Sequence, residues 1–189
     1  MVVGWLLLLL TQLAVESAQK ESFWQQSFFD IDGKKHVHAS IDTKAVVWIF
    51  ILEDCPISNA YSPEIIRLVK TYQTKGIKFT LIHSNPELAI DAAKKHRDDY
   101  QLIAPIVLDR KHQWVAYSGA TVTPEAVVFA PNGERLYCGR IDDRFPAYGK
   151  RRAKPTKTEL KDALDSIINN KPIAIKESKA TGCYIPKLK

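Results

Sequence analysis

Three cysteines, Cys55, Cys138 and Cys183, are the side chains of this 189-residue chain best suited to covalent chemistry, and their surroundings differ. Cys55 follows an apolar run, Val46 to Leu52, and the acidic pair Glu53-Asp54; Pro56-Ile57-Ser58 comes after it. A β-branched run, a short loop and a proline suited to a first helical turn place this thiol at a strand-to-helix junction. The unpaired backbone N–H groups and the positive dipole end of a helix N-terminus favour thiolate over thiol, so a nucleophilic sulfur is expected rather than an inert buried one. Glu53 and Asp54 oppose this electrostatically: the helix terminus must outweigh them, or they must point away. Ser58 cannot close a disulfide; its hydroxyl either bonds the Cys55 sulfur or caps the helix.

The other candidates are weaker. Cys138 lies in a strand-like stretch and is expected to be structural. His36 and His38 share one strand face and, with His83, His112 or Cys55, have the chemistry to bind copper or zinc. No second cysteine stands at ligand spacing from Cys55, so exposed or capping histidines are the expectation, with no metal and no cofactor. Asp142-Asp143-Arg144 follows a strand end and is expected to form surface ion pairs rather than a site rim.

The elements that must position these residues follow from periodicity. Asp32-Gly33 is a turn between Phe28-Phe29 and Val37–Ile41, which predicts an N-terminal β-hairpin. Ala45–Leu52 is the pattern of a strand covered on both faces. Tyr61, Ile65, Leu68, Val69 and Tyr72 recur at helical spacing from Pro56 to about Gln73, with Pro63 predicting a kink and Gly76 a left-handed stop. Strands are predicted at Ile77–His83 and Ile103–Leu108, around a helix from Ser84-Asn85-Pro86-Glu87 to about Tyr100. Asn132-Gly133 joins two apolar stretches as an antiparallel hairpin. Thr156 with Glu159 forms a capping box for a last amphipathic helix, which Pro172 stops. The order β-α-β-α-β, hairpin, helix specifies an α/β fold with a mixed central sheet and helices on both faces.

Length and a 46% hydrophobic content suit one domain. Val2–Leu10 and the following Thr11–Ala18 resemble the core and cleavage region of a secretory signal, too short to span a bilayer, so residues 1–18 are expected to be removed and the protein exported, periplasmic or extracellular. The expected organisation is a domain over 19–172 and a tail over 173–189. The net charge of +6 is confined to the end of the chain: residues 150–189 hold eleven Lys and Arg against four Asp and Glu, while 19–149 is neutral. That is a solvated basic tail rather than a nucleic-acid or membrane-binding surface, and it lacks the interleaved aromatics of a single-strand binder. An odd cysteine number in an exported chain implies at most one bridge and a leftover thiol.

Four segments together carry a resemblance: Cys-Pro-Ile-Ser-Asn-Ala-Tyr (55–61), Ala-Thr-Val-Thr-Pro-Glu-Ala (120–126), Gly-Arg-Ile-Asp-Asp-Arg (139–144) and Gly-Cys-Tyr-Ile-Pro (182–186). Over roughly residues 24–186 the chain resembles the thioredoxin-like fold, most closely the redoxin and AhpC/TSA-like domains of exported bacterial proteins. The resemblance implies thiol–disulfide oxidoreductase activity on thiol or disulfide protein substrates, with an external electron donor. It implies Cys55 as nucleophile, Cys183 as a resolving thiol brought in by a flexible tail, and Thr123-Pro124, with Pro56, as a substrate-positioning cis-proline loop. Ser58 stands where a dithiol member has its second cysteine. Leu52 stands where a peroxiredoxin has a peroxide-orienting Thr or Ser, which argues against peroxidase activity. A non-catalytic module that binds a partner or handles copper through the same groove is the alternative.

Overall fold

The structure, a computed structural model, describes Gln12, Ala18 and residues 20–188. The expected signal segment lies outside these residues, Gln12 and Ala18 apart. Among the described residues no helix is long and apolar enough to cross a membrane.

The central sheet is organised around β3 (Ala45–Ile51), all seven residues of which are buried. Ala45, Val47, Ile49 and Ile51 enter one apolar cluster and Val46, Trp48 and Phe50 another, which is why the run is continuous rather than alternating. β3 pairs in parallel with β4 (Ile77–His83), and β4 with β5 (Ile106–Leu108). On its other side β3 pairs antiparallel with β7 (Glu125–Phe129), which turns through Asn132-Gly133 into β8 (Arg135–Gly139). The five-stranded order β5-β4-β3-β7-β8 is therefore mixed, as the sequence predicts. The predicted N-terminal hairpin is present as β1 (Ser27–Phe29) and β2 (Lys35–Val37).

One face is covered by α1 (Pro56–Ala60), α2 (Ser62–Tyr72), Ala93 of α3 (Ile90–Asp99) and the Leu160, Ala163 and Leu164 stripe of α5 (Glu159–Ile168). The break between α1 and α2 falls at Tyr61, two residues before Pro63, and Gly76 takes the left-handed stop at φ 85°. Two predicted helix starts move. α3 begins at Ile90 because Ser84 is fully buried and the Asn85 side chain bonds Glu53 and the Glu87 N–H in a turn. α5 begins at Glu159, because Thr156 bonds Asp143 and Glu159 turns inward to Arg140 instead of closing a capping box.

The other face is aromatic. Helical residues 20–25 bring Phe23 and Trp24 onto Trp48, Phe129 and, from α4 (Gln113–Ser118), Trp114 and Tyr117. His38 lies within this cluster, its ring centroid 4.8 Å from Trp24 and 4.9 Å from Trp114, and its Nδ1 has no hydrogen-bond partner. The expectation of an exposed histidine is thus corrected: His38 serves as an aromatic ring. Burial, with Lys78 adding, holds its pKa down at about 4.

A histidine depressed in the fold takes up a proton on unfolding, so its stabilisation is present above pH 6.5 and is lost as pH falls toward 4. His38 should account for about 2 kcal/mol of the stability lost between pH 7 and pH 5. Urea unfolding of His38→Phe at the two pH values should show the pH-dependent loss reduced by that amount.

Candidate active site

Cys55 is the N-cap of α1, with extended φ −87° and ψ 107°, and Pro56 occupies the first turn. The Ser58 backbone N–H donates to the Cys55 Sγ at 3.4 Å, and the Cys55 thiol reaches the Thr123 carbonyl at 3.2 Å. Ser58 itself does neither thing expected of its hydroxyl, which is buried without a partner. Its contribution to the sulfur is a main-chain N–H, which any residue but proline would supply.

Thr123 ends β6 (Val122–Thr123), and the Thr123–Pro124 peptide bond is cis, as the resemblance implies. The chain end returns to this point. β9 (Cys183–Tyr184) pairs antiparallel with β6, Thr123 opposite Cys183 and Val122 opposite Tyr184. Upstream, Glu177 bridges to Cys138, the Ser178 N–H donates to the Cys138 carbonyl, and the Ser178 hydroxyl meets the Tyr137 phenol at 2.7 Å. Residues 177–185 are therefore a paired strap rather than a flexible tail.

The strap places Cys183 opposite Thr123, whose carbonyl the Cys55 thiol reaches, so the two thiols are neighbours. Burial, then the Cys55 sulfur and the Asp54 carboxylate, push the Cys183 pKa up. Gly182 permits this approach, since a Cβ there would lie 2.0 Å from the Thr123 carbonyl oxygen. All three cysteines are free thiols. Cys138 packs in the aromatic cluster, across the sheet from Cys55 and Cys183, and burial holds its pKa up at about 11.

Tyr148 is a site residue that sequence reasoning missed. Its phenol donates to the Gly182 carbonyl, and the Cys183 and Cys55 sulfurs both add to the burial that raises its pKa. The available signal was a lone tyrosine followed by glycine in a basic loop, which says nothing about what the ring touches.

Of the two acidic neighbours, Asp54 is exposed, while Glu53 accepts from the Asn85 amide at 2.6 Å and lies 3.7 Å from His83. His83 is fully buried and bonds His96, which bonds Asn59, whose amide donates back to the Glu53 carbonyl. Burial holds His83 down at about 3 and lowers His96, so both imidazoles are neutral at physiological pH. His83 thus also departs from the exposed expectation. His36 pairs with Asp30 and His112 with the Ser84 carbonyl, and among the described residues no three His, Cys, Asp or Glu side chains form a metal-holding group.

Asp142 and Asp143 form ion pairs as expected, with Arg144 and Arg152, but both carboxylates are buried rather than on the surface. Asp142 is buried, accepting from the Tyr61 phenol at 2.6 Å and lying 3.5 Å from Arg144, and buried Asp143 accepts from the Thr156 hydroxyl and N–H. These bonds tie the α1–α2 junction to the loop that carries Tyr148. Leu52 is buried in the core and offers no donor.

No protein-family model and no curated protein matches this chain. Solved structures do. An uncharacterized conserved protein from Geobacillus kaustophilus aligns with TM-score 0.72 and 24% identity over 87% of this chain and 90% of its own. A thiol:disulfide interchange protein of the thioredoxin family from Chlorobium tepidum aligns with TM-score 0.55 and 21% identity, over 77% of this chain and 91% of that one. A secreted Mycobacterium tuberculosis disulfide oxidoreductase, homologous to DsbE, aligns with TM-score 0.52 and 18% identity, over 78% and 96%. The fold is thioredoxin-like.

Tyr61→Phe should cost about 1–3 kcal/mol in urea unfolding, because it leaves the buried Asp142 carboxylate short of a donor. The same variant should speed amide exchange in residues 142–152.

Proposed function

We propose that this chain is an exported thiol–disulfide oxidoreductase in which Cys55 attacks and Cys183 resolves. The premise is the thioredoxin-like fold, and the observation that carries the proposal is the meeting of these two distant thiols beside Thr123. The Cys55 thiolate attacks one sulfur of a substrate disulfide: the Cys55–sulfur bond forms, the substrate S–S bond breaks and one substrate thiolate leaves. The Cys183 thiolate, its proton lost to solvent, then attacks the Cys55 sulfur, so the second substrate thiolate leaves and a Cys55–Cys183 disulfide remains. The substrate is reduced by two electrons and the protein oxidised by two; an external dithiol donor reverses the second change.

Each group has a role in that sequence. The Ser58 N–H and the first turn of α1 support negative charge on the Cys55 sulfur. Pro56 starts that turn and Thr123-Pro124 presents main-chain groups to the substrate. Peroxide reduction is disfavoured, because Leu52 offers no group to orient a peroxide. Substrates are disulfide-bearing proteins, the donor is a separate thiol protein, and the compartment is outside the cytoplasm.

Mass spectrometry of the non-reduced protein after a stoichiometric disulfide should show a Cys55–Cys183 bridge that dithiothreitol opens. Cys55→Ser should reduce disulfide exchange to background. Cys183→Ser should keep the first attack and accumulate a mixed disulfide on Cys55, with release slowed roughly a hundredfold or more, the advantage of a positioned thiol over one in solution. A Cys55 that resists alkylation in the reduced, native protein over hours at pH 8 would refute the assignment.

A further inference from the structure

Cys55 has no solvent exposure. A sulfur that must attack another molecule is therefore covered, and the cover is the chain's own end. Thr123 and Cys183 lie against it, and Tyr148 pins the strap from outside through the Gly182 carbonyl. What the strap does on β6 is what an added strand does. Cys183 and Tyr184 stand opposite Thr123 and Val122, and the Ile185 N–H donates to the Thr121 carbonyl at 3.1 Å. It also brings a cysteine sulfur to Cys55, which is where a substrate's sulfur must come.

We propose that residues 182–185 are an internal mimic of the substrate: the site accepts an extended polypeptide in which cysteine follows glycine, and it does so on the edge of β6 after the strap lifts. This deepens the oxidoreductase reading above and rests on it. Three observations set the recognised pattern. The position before the cysteine admits no Cβ, because the Thr123 carbonyl oxygen would be 2.0 Å away and is main chain that cannot swing aside. The position after it is unselective, since Tyr184 is 79% exposed. The main chain around the cysteine is read through β6, so an extended segment is required and a helical one is excluded.

The strap is anchored where it must not move and lightly held where it must. Glu177 and Ser178 are fixed to β8 by the Cys138 bridge, the Tyr137 phenol and the Arg140 N–H. Beyond them Lys179 is exposed, Ala180 is buried, and the pairing with β6 is two residues long before the Ile185 bond to Thr121. The hinge of this movement is therefore Lys179. The return of the strap then does two things in one movement: Cys183 displaces the substrate sulfur from Cys55, and β9 displaces the substrate backbone from β6.

The test uses the full chain carrying Cys183→Ser, so that adducts on Cys55 persist, with or without Gly182→Val, which drives the strap off β6. The probes are 5,5′-dithiobis(2-nitrobenzoate) and the acetylated peptides Gly-Cys-Tyr-Ile and Val-Cys-Tyr-Ile, each as its disulfide with thionitrobenzoate. Release of thionitrobenzoate gives the rate and mass spectrometry locates the adduct. Gly182→Val should raise the Cys55 rate with every probe by roughly tenfold or more, with faster amide exchange at 183–185. In both proteins the glycine peptide should outpace the valine peptide by roughly tenfold. Tyr148→Phe, which keeps Gly182, should move rate and exchange in the same direction if Gly182→Val misfolds. Equal rates for the two peptides, or a Cys55 rate unmoved by a loosened strap, overturn the mimic while a normal reaction with the dinitrobenzoate leaves the oxidoreductase reading standing. No adduct on Cys55 with any probe in any variant overturns both.

Discussion

The bond from the Cys55 thiol to the Thr123 carbonyl joins two parts of the chain that local structure alone would leave apart. On one side is the junction of β3 and α1; on the other is the strand that precedes the cis-proline. Everything else at the site is arranged about that contact. β6 needs a partner on its outer edge, because an unpaired buried carbonyl or N–H costs about 1–3 kcal/mol, and β9 supplies it. Gly182 must lack a side chain because the same Thr123 carbonyl lies beneath it. The Tyr148 loop closes over the strap, and Asp142 and Tyr61 tie that loop back to the end of α1. Four sequence-distant segments thus meet at one sulfur.

The proposed nucleophile has conflicting needs. Main-chain N–H groups support an anion best away from water, whereas a substrate must reach the sulfur from water. The closed strap meets the first need, and the proposed opening meets the second, because short pairings open at a small fraction of the global unfolding free energy. The sheet separates this balance from the rest of the molecule. The aromatic cluster on the far face contains Trp24, Trp48, Trp114 and the ring of His38, and it carries Cys138 away from Cys55 and Cys183.

What the sequence disclosed follows from which interactions are local. β3 was legible because two-sided burial leaves a continuous apolar run, and the α1–α2 break because Pro63 acts on its own backbone. Cys55 at a helix start, the β7–β8 hairpin and the cis-proline were legible from adjoining residues or from a resemblance carried by them. Most of the misreadings involve polar side chains whose surroundings come from remote segments. Ser58 resembled a sulfur ligand, yet its neighbours leave its hydroxyl unpaired. His38 and His83 resembled surface residues until aromatic and histidine partners from other elements enclosed them. Glu159 fitted a capping box at three-residue spacing, and Arg140 took it inward. Tyr148 could not be found because its partner is a main-chain carbonyl on a strap whose course the sequence does not state.

The placement of charge also bears on the order of attack in the proposed mechanism. Glu53 and Asp54 precede Cys55 directly, and each carboxylate also has a partner elsewhere at the site. Glu53 spends its carboxylate on the Asn85 amide, beside a neutral histidine pair. Asp54 is exposed and bears on Cys183, where it adds to burial and to the neighbouring sulfur in keeping that thiol protonated. Cys183 sits on a two-residue strand, with no helix terminus to offset these effects, whereas Cys55 has the first turn of α1 and the Ser58 N–H. These surroundings disfavour a negative charge on Cys183, which is why the proposed mechanism has Cys55 attack first. In that proposal Cys183 becomes the nucleophile only after Cys55 has entered a mixed disulfide, which removes the free Cys55 thiol from the causes that hold Cys183 protonated.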